Sequence, residues 1–211
     1  MRAYLIRSLS VFTFLVLSSS LVAKPAHAFD LGVVGGLNSA SQSYAEVAFG
    51  SEAGARATFA FGALLNFSIF PMLSIEAGAL YSAHKTGTST AFIETQNLVF
   101  PVMARYWILP IFSIGVGPYW GAGFGRIRSV GTGTTGTDPI VNDVDYVDSA
   151  YSKSDFGAAA SVDLSFPIAP GLNILGDART YLGLNDHNTS GGGPAYKVRF
   201  TQLLAGIQFT Y

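Results

Sequence analysis

Cysteine is absent from the 211 residues of this chain. Without it the chain cannot build a disulfide scaffold, and it cannot carry the acylated cysteine that anchors a lipoprotein. Charged residues are also scarce, at 12% of the chain, and the formal net charge is only −1. Because nucleic-acid binding draws on an excess of basic residues, we expect no nucleic-acid partner.

Long hydrophobic runs are missing as well beyond residue 28. The chain is 49% hydrophobic and poor in charge, which makes it more apolar than a typical soluble domain. Yet this region has no run of about 18 apolar residues, the length that a membrane-spanning helix needs. The apolar residues must therefore alternate with polar or small ones, as they do in a transmembrane β-barrel.

The first 28 residues have the three parts of a secretory signal peptide. Two arginines precede an apolar stretch at 9–22, and Ala26 and Ala28 place small residues where a signal peptidase reads them. An uncleaved membrane anchor is the alternative, but the apolar stretch is short and three serines follow each other within it. The sequence therefore predicts a cleaved signal peptide at 1–28 and one barrel domain at 29–211.

Period-2 alternation is clearest at 55–69, where Phe59, Phe61 and Phe67 share a face with small and aliphatic residues. Similar segments recur along the chain, and short connections alternate with long ones. The eight predicted strands cover 29–37, 55–69, 73–82, 97–106, 112–125, 155–166, 172–184 and 196–211. We therefore predict an all-β fold, an eight-stranded antiparallel up-and-down transmembrane β-barrel with both termini on the periplasmic side.

The last ten residues alternate to the end of the chain. Phe209 and Tyr211 continue an apolar row, and Gly206 lies in the opposite row. A barrel in lipid must pair its final strand with its first, because an open sheet edge there leaves backbone polar groups unsatisfied. We therefore expect Gly206, Phe209 and Tyr211 to belong to the strand that closes the barrel.

An eight-stranded soluble barrel or sandwich would alternate too. In a soluble barrel, however, charged residues face outward, whereas here one row of each strand is apolar along nearly its whole length. The residues between them are mostly small, as a narrow lumen requires. The pattern favours the membrane barrel.

Four segments resemble the outer-membrane β-barrel domain family of Gram-negative bacteria, in particular the small eight-stranded OmpA-like and OmpX-like barrels. They are LVFPVMARY at 98–106, GVGPYWG at 115–121, SDFG at 154–157 and DARTYLGL at 177–184. They look like that family's strands four to seven, in the family's order. The resemblance implies a place in the cell outer membrane, contact with its lipids and lipopolysaccharide, and recognition of the last strand by the barrel-assembly machinery. Because the family's functions are diverse, the extracellular ligand stays open.

Inward-facing charges form the main polar constellation. They are Arg56, Glu76, Arg105, Asp163, Asp177 and Arg179. Three basic residues balance three acidic ones, and buried charges persist only when they are paired. We therefore expect a salt-bridge network that plugs the lumen, since eight strands leave an interior that side chains fill. A narrow ion path is the alternative.

An enzyme would need a nucleophile and a base on one strand face. The domain has two histidines, His84 and His187, both in predicted outer loops. His84 follows Ser82, but no acid can be placed beside the pair. We therefore expect no catalysis and no cofactor. A structural or surface-interaction role is the main hypothesis, and a lipid-modifying enzyme is the alternative.

The longest connection, 126–154, is predicted to be the mobile and functional outer loop. Its run at 131–137 contains only glycine and threonine, with no apolar side chain to pack. Apolar and acidic residues alternate loosely after it, so the flanking strands could extend and fold part of the loop back. Oxygen ligands at Asn142, Asp143, Asp145 and Asp148 could hold a hard cation, but solvated acids are the simpler interpretation and we predict no metal.

Overall fold

The computed structural model describes residues 29–44, 53–87, 91–132, 139–145, 152–185 and 196–211. The nine strands of these residues are β1 (Phe29–Tyr44), β2 (Ala53–Phe70), β3 (Leu73–Gly87), β4 (Phe92–Leu109), β5 (Phe112–Thr132), β6 (Pro139–Asp145), β7 (Ser154–Ala169), β8 (Leu172–Gly183) and β9 (Tyr196–Thr210). The predicted signal peptide at 1–28, His187 and Asp148 lie outside the described residues. The described part contains no helix long and apolar enough to cross a membrane.

Eight of the strands close into a barrel. Neighbouring strands pair in the order β4-β3-β2-β1-β9-β8-β7-β5, and β5 pairs with β4 to complete the ring. Every pair is antiparallel. The ninth strand, β6, pairs with the upper part of β5 alone and stands above the ring as a hairpin. The predicted fold class, an eight-stranded antiparallel barrel, is confirmed.

Several strands are longer than predicted. Within the predicted loop at 126–154, the segments 126–132 and 139–145 pair with each other and extend β5 into a two-stranded ribbon, which is the fold-back that the loose alternation in this connection allowed. Likewise β1 continues to Tyr44 and not to 37. The sequence hides these extensions because hydropathy marks the lipid-facing row, which ends where the strand leaves the membrane, although backbone pairing continues.

The outer wall is apolar. Phe59, Phe61, Val116 and Leu203 are all more than half exposed at alternate positions, while the residues between them point into the barrel. A soluble protein does not cover its surface with contiguous large apolar side chains, so the wall matches a lipid solvent. Three tight turns, β2–β3, β4–β5 and β7–β8, define one end of the barrel, called here the short-turn end. The opposite end is called the long-loop end.

The tight turn between β7 and β8 contains a glycine and is hydrogen-bonded to the last strand. Gly171 adopts a φ of 70°, a conformation that side chains with a Cβ rarely occupy. Its carbonyl accepts a hydrogen bond of 2.9 Å from the amide of Thr210 on β9. The turn is thereby tied to the last strand.

Side chains fill the barrel in layers. A polar layer containing Asn66, Ser74 and Gln208 lies at the short-turn end, and the charged residues follow it. Apolar side chains such as Leu80 and Met103 form the next layer. Aromatic side chains and a second polar group lie above them, toward the long loops. The core of the protein is therefore the lumen.

Candidate functional site in the barrel lumen

Four strands bring five charged side chains to one height in the lumen. Glu76 comes from β3, Arg105 from β4, Asp163 from β7, and Asp177 and Arg179 from β8. All five side chains are buried. We call these five residues the charged layer.

Arg105 connects three carboxylates. Its Nη2 lies 2.6 Å from Glu76 Oε2 and 3.3 Å from Asp177 Oδ2, and its Nη1 lies 3.5 Å from Asp163 Oδ2. Nη1 also donates a hydrogen bond of 3.0 Å to Ser113 Oγ. Because three acids converge on one guanidinium, removal of Arg105 would leave buried negative charge without a partner.

Arg179 makes a two-point contact with the acid two residues before it. Its Nε donates to Asp177 Oδ1 at 2.7 Å and its Nη2 to Asp177 Oδ2 at 2.6 Å, the forked geometry that a planar guanidinium allows. Nη2 also lies 3.2 Å from Glu76 Oε1. The two carboxylates Glu76 and Asp177 therefore each bridge both arginines.

A glycine on β5 makes room for this layer. A Cβ at Gly115 would lie 2.8 Å from Ser161 Oγ and 3.7 Å from the Arg105 Cζ atom. Arg105 can lie across the narrow lumen because that part of the wall carries no side chain. This agrees with the alternating glycines of the sequence in that region.

The structure does not bring the sixth predicted charge, Arg56, into this layer. Arg56 pairs with Ala40 near the long-loop end, whereas Glu76 pairs with Asn66 of the same strand β2. Ten residues of β2, about 33 Å measured along the strand, separate Arg56 from the residue that pairs with Glu76. Arg56 lies instead with its Cζ atom 5.7 Å from the centre of the Phe92 ring.

Because Arg56 lies outside the charged layer, the charge balance of the layer differs from the predicted one. The sequence predicted three basic residues against three acidic ones, but the layer holds two guanidinium groups against three carboxylates. Asp163 is the most weakly held acid, since its one ion pair is 3.5 Å long and its Oδ1 atom has no hydrogen-bond partner among the described residues. The excess negative charge is therefore centred on the Asp163 side of the layer.

Oxygen atoms of Glu76, Asp163 and Asp177 lie within 4.8 Å of one another, which is close enough to surround a metal ion. Arg105 and Arg179 already bind these oxygens and would repel a cation. The geometry favours guanidinium groups over a metal at this position. In the ribbon, Asn142 and Asp143 are successive strand residues and so face opposite sides. Asp145 pairs with Arg126 at 3.2 Å.

The last strand seals the ring along its whole length. β9 pairs with β1 from Tyr196–Tyr44 to Thr210–Asp30. Beyond it, the amide of Tyr211 donates to the carbonyl of Phe29 at 2.9 Å, and the two rings lie 6.1 Å apart. Phe209 faces outward, and a Cβ at Gly206 would collide with the backbone of Val33 on β1.

Comparison with known proteins agrees with this geometry. The family model of the outer membrane protein beta-barrel domain matches residues 18–188. The chain belongs to this family. The resemblance noted in the sequence is thereby confirmed, and the protein is an outer-membrane barrel located in the cell outer membrane.

Several solved structures are similar to this barrel. Neisserial surface protein A is 13% identical, with 87% of this chain and 99% of that chain covered and a TM-score of 0.48. OprG from Pseudomonas aeruginosa is 11% identical, with 88% and 96% covered and a TM-score of 0.46. The attachment invasion locus protein of Yersinia pestis is 12% identical, with 85% and 98% covered and a TM-score of 0.43. No curated protein matches significantly.

A second polar group of the outer-membrane barrel lies nearer the long-loop end. Ser82 Oγ and His84 Nε2 are 2.9 Å apart, and Asn97 Nδ2 lies 3.2 Å from His84 Nδ1. Gln202 donates a hydrogen bond of 3.2 Å to Ser82 Oγ. The sequence placed His84 in an outer loop, but β3 extends to Gly87 and carries the ring into the lumen. The third member of the group is an amide, so a search for an acid missed it.

Two inward acids of the barrel were left out of the predicted network. Asp30 accepts a hydrogen bond of 3.3 Å from Asn66 Nδ2 in the lowest layer. Asp155 accepts one of 2.6 Å from the Tyr119 hydroxyl, beside an aromatic stack in which the Tyr181 and Phe200 rings lie 4.2 Å apart. Alternation with outward neighbours marks both acids as inward and was the signal that could have found them.

Proposed function

We propose that this outer-membrane barrel is a closed-lumen surface protein and not a pore. The observation that carries the proposal is the charged layer, in which Arg105 and Arg179 link carboxylates from opposite walls. An ion that crosses the layer must separate buried ion pairs or pass its own charge through them, and both are costly in a low-dielectric interior. The aromatic stack above the layer supports the same conclusion.

Planar-bilayer recording tests the closed lumen. Wild-type protein should give no stable open level of porin size at neutral pH, and the Arg105→Ala/Arg179→Ala variant should give larger or more frequent openings. Arg126→Ala, at an exposed ribbon pair, is the matched control and should behave as wild type. A steady porin-sized conductance in the wild type would contradict the proposal and favour a channel.

The ribbon of β5 and β6 supports a surface role. It stands above the ring at the long-loop end, the extracellular side in barrels of this kind. Ile140, Val141 and Val144 expose large parts of their side chains there. Burial of these aliphatic side chains against a partner would be favourable, because it removes apolar surface from water. We propose that the ribbon meets that partner.

Attachment of cells to host-cell monolayers and abiotic surfaces tests the ribbon. Ile140→Ser/Val144→Ser should reduce attachment while the outer membrane still contains the wild-type amount of folded protein. Leu203→Ser, an outward change within the membrane-facing wall, controls for a general effect of lost apolar area. Unchanged attachment by the ribbon variant would contradict the surface role.

A lipid-modifying hydrolase is the second candidate, and the Ser82–His84–Asn97 group is the observation that favours it. A serine hydroxyl at 2.9 Å from an imidazole nitrogen, with an amide at the other nitrogen, is an arrangement that can activate a nucleophile. Ser82 is fully buried and also bonds Gln202, however, so a substrate carbonyl has no approach to it. We therefore rank this candidate second. Mass spectrometry of lipid A with wild-type protein and with Ser82→Ala would detect a modification that depends on the hydroxyl.

A further inference from the structure

The outer wall has an apolar notch where β5, β7 and β8 lie side by side. Its volume is about 350 Å³, and the residues around it are chiefly Val116, Ala158, Ala160, Thr180 and Leu182. The notch exists because two alanines stand outward on β7 between larger side chains, Phe156 and Val162. Close packing between proteins fills such a depression with a protruding side chain.

A protruding leucine lies on the other side of β8. Leu203 of β9 is 58% exposed. In the ring, β9 is the neighbour of β8 on the side away from β7. The notch and Leu203 therefore flank the same strand.

Strand register gives the relative height of the notch and Leu203. The row of paired residues that starts at Leu172 passes once round the ring and returns to β8 at Leu182, ten residues nearer the long-loop end. Rows therefore climb from β7 through β8 to β9, as they do in any barrel with tilted strands. From Ala160 to Thr201, two strands on, the climb is about two and a half residues. Leu203 lies two residues below Thr201 and is therefore level with Ala160.

This arrangement is self-complementary. A two-fold axis along the membrane normal keeps every residue at its own height and makes each contact reciprocal. With the axis beside Thr180 of β8, Leu203 of one copy faces the notch of the second copy, and Leu203 of the second copy faces the notch of the first. Thr180 then lies close to Thr180 of the other copy.

Two hydroxyls on this wall also favour a protein neighbour. Leu182 and Leu184 continue the apolar wall above Thr180, so its hydroxyl lies within that wall. The Thr201 hydroxyl lies 3.4 Å from it, whereas acyl chains offer neither donors nor acceptors. Interfaces between membrane-embedded helices are rich in small and hydroxyl-bearing residues, because these allow close approach and hydrogen bonds across the contact. The same chemistry suits two barrel walls.

The bulky aromatic side chains near the long-loop end lie on other strands. They form an arc over β2, β3, β4, β5 and β7 that consists of Phe59, Tyr81, Phe100, Trp120 and Phe156. Among the described residues, the outward faces of β8 and β9 carry no aromatic side chain in their halves toward the long loops. Aromatic rings anchor a barrel wall at the lipid interface. The strands without them leave room for the close approach of a second barrel.

The face has enough area for a specific contact. Three neighbouring tilted strands are roughly 19 Å wide and the apolar wall is about 25 Å tall, so each copy offers about 500 Å². Two copies together cover about 1,000 Å², which is the lower limit for a specific protein interface.

We propose that two copies of this chain pair side by side in the outer membrane through β7, β8 and β9, with Leu203 of each copy in the notch of the other. Ala158, Ala160, Thr180 and Leu203 are called the pairing face. The pairing does not depend on the proposed function, because neither the charged layer nor the ribbon takes part in it. A wall variant such as Leu203→Ser leaves the ribbon unchanged.

Cysteine crosslinking tests the pairing, because the chain contains no cysteine of its own. Thr180→Cys places one thiol per copy beside the axis, and oxidation of isolated outer membranes should join most of the protein as a disulfide-linked dimer. Ala79→Cys is the matched control, since it faces outward on β3, the strand opposite β8 in the ring. Thiols held in an interface have an effective concentration in the millimolar range, so crosslinking at 180 should be about tenfold faster or more than at 79.

A bulky side chain in the notch should prevent the crosslink. Thr180→Cys/Ala160→Phe fills the notch, so its rate should fall to that of Ala79→Cys. Thr180→Cys/Ala77→Phe adds the same ring to the opposite wall and should keep the fast rate. Heat-modifiable gel migration shows that each variant is folded.

Three results would overturn the pairing. Equal rates at 180 and 79 would leave acyl chains as the occupant of the notch, and a fast rate in Thr180→Cys/Ala160→Phe would show that the notch is not used. A crosslinked product whose mass is not twice that of the chain would indicate a different protein as the neighbour. Ala178→Cys, the next outward position of β8 toward the short turns, serves as a second variant should Thr180→Cys fold poorly. Slow crosslinking there would equally contradict the pairing.

Discussion

The two lumen arginines have the same charge but hold the charged layer in different ways. Arg179 donates two hydrogen bonds to Asp177, which lies two residues away on the same strand β8. These two bonds therefore do not link different strands. Arg105 links β4 to acids on β3, β7 and β8. Contacts between distant strands form only when the barrel closes, so Arg105 contributes most to the closed state.

Arg105→Ala should lower the free energy of unfolding by about 3–5 kcal/mol, because buried carboxylates lose their partner and stay in the lumen. Urea titration of the protein in lipid vesicles measures the change. Arg126→Ala is the control: Arg126 is 66% exposed in its ion pair with Asp145. Its loss should cost at most about 1 kcal/mol. Equal costs for the two variants would show that the charged layer does not stabilise the barrel.

Asp163 and Asp177 should respond oppositely to an isosteric loss of charge. Asp163→Asn leaves two guanidiniums against two carboxylates and removes only a pair of 3.5 Å. We expect it to be neutral or stabilising. Asp177→Asn removes the acceptor of bonds at 2.6 and 2.7 Å and should cost about 2–4 kcal/mol. The same urea titrations measure both variants, and a greater cost for Asp163→Asn would contradict the excess of negative charge.

Strand alternation predicts the face of a residue but not its height. The rows of β2 were predictable because phenylalanine recurs at every second position, and the lumen charges were placed inward for the same reason. Height depends on register, which couples residues far apart in sequence: Arg56 aligns with Ala40, and Glu76 aligns with Asn66. The sequence therefore predicted the five members of the charged layer but could not separate Arg56 from them.

The ends of the strands were the least predictable feature at this scale. Above the membrane both faces of a strand meet water, so the hydropathy contrast disappears while hydrogen bonding continues. For example, β5 continues to Thr132 and pairs with β6, although the predicted strand ended at 125. The group of Ser82 and His84 was lost from the sequence prediction through the same error, because the predicted third strand ended at 82.

Gly206→Val should interfere with closure of the barrel. A Cβ at this position would collide with the backbone of Val33, so β9 and β1 could not keep their spacing. The fraction of protein that migrates as folded in unheated gels should fall strongly after detergent extraction. Ala205→Val adds the same side chain to the outward face of the same strand and should fold like wild type. If both variants fold equally well, close approach at Gly206 is not required for closure.

Limited proteolysis of intact cells should cut the long connection first. β5 and β6 protect 126–132 and 139–145 by pairing, so cleavage is expected between Thr132 and Pro139 or after Asp145. The ring should stay whole, because its eight strands do not depend on β6. Mass spectrometry of the released fragments locates the cuts. Earlier cleavage in 38–54 would mean that another loop is the most accessible.

The distribution of polar and apolar side chains in this barrel is the reverse of that in a soluble protein. Its lumen holds the ion pairs and amide hydrogen bonds, while its outer wall exposes leucine, valine and phenylalanine to lipid. The same inversion explains why the chain is apolar in composition and yet has no apolar run beyond residue 28 that is long enough for a membrane helix. The polar side chains of the lumen and the apolar side chains of the wall therefore face different environments, the protein interior on one side and lipid on the other.

Export should remove residues 1–28 and leave Phe29 as the first residue. The motivation is the small residues at Ala26 and Ala28, together with the position of β1, which begins at Phe29 and pairs there with Tyr211. Intact mass of the protein isolated from outer membranes should therefore correspond to 29–211. Ala28→Arg should block removal and keep the chain at the inner membrane, whereas a full-length chain in the outer membrane of wild-type cells would refute the cleavage.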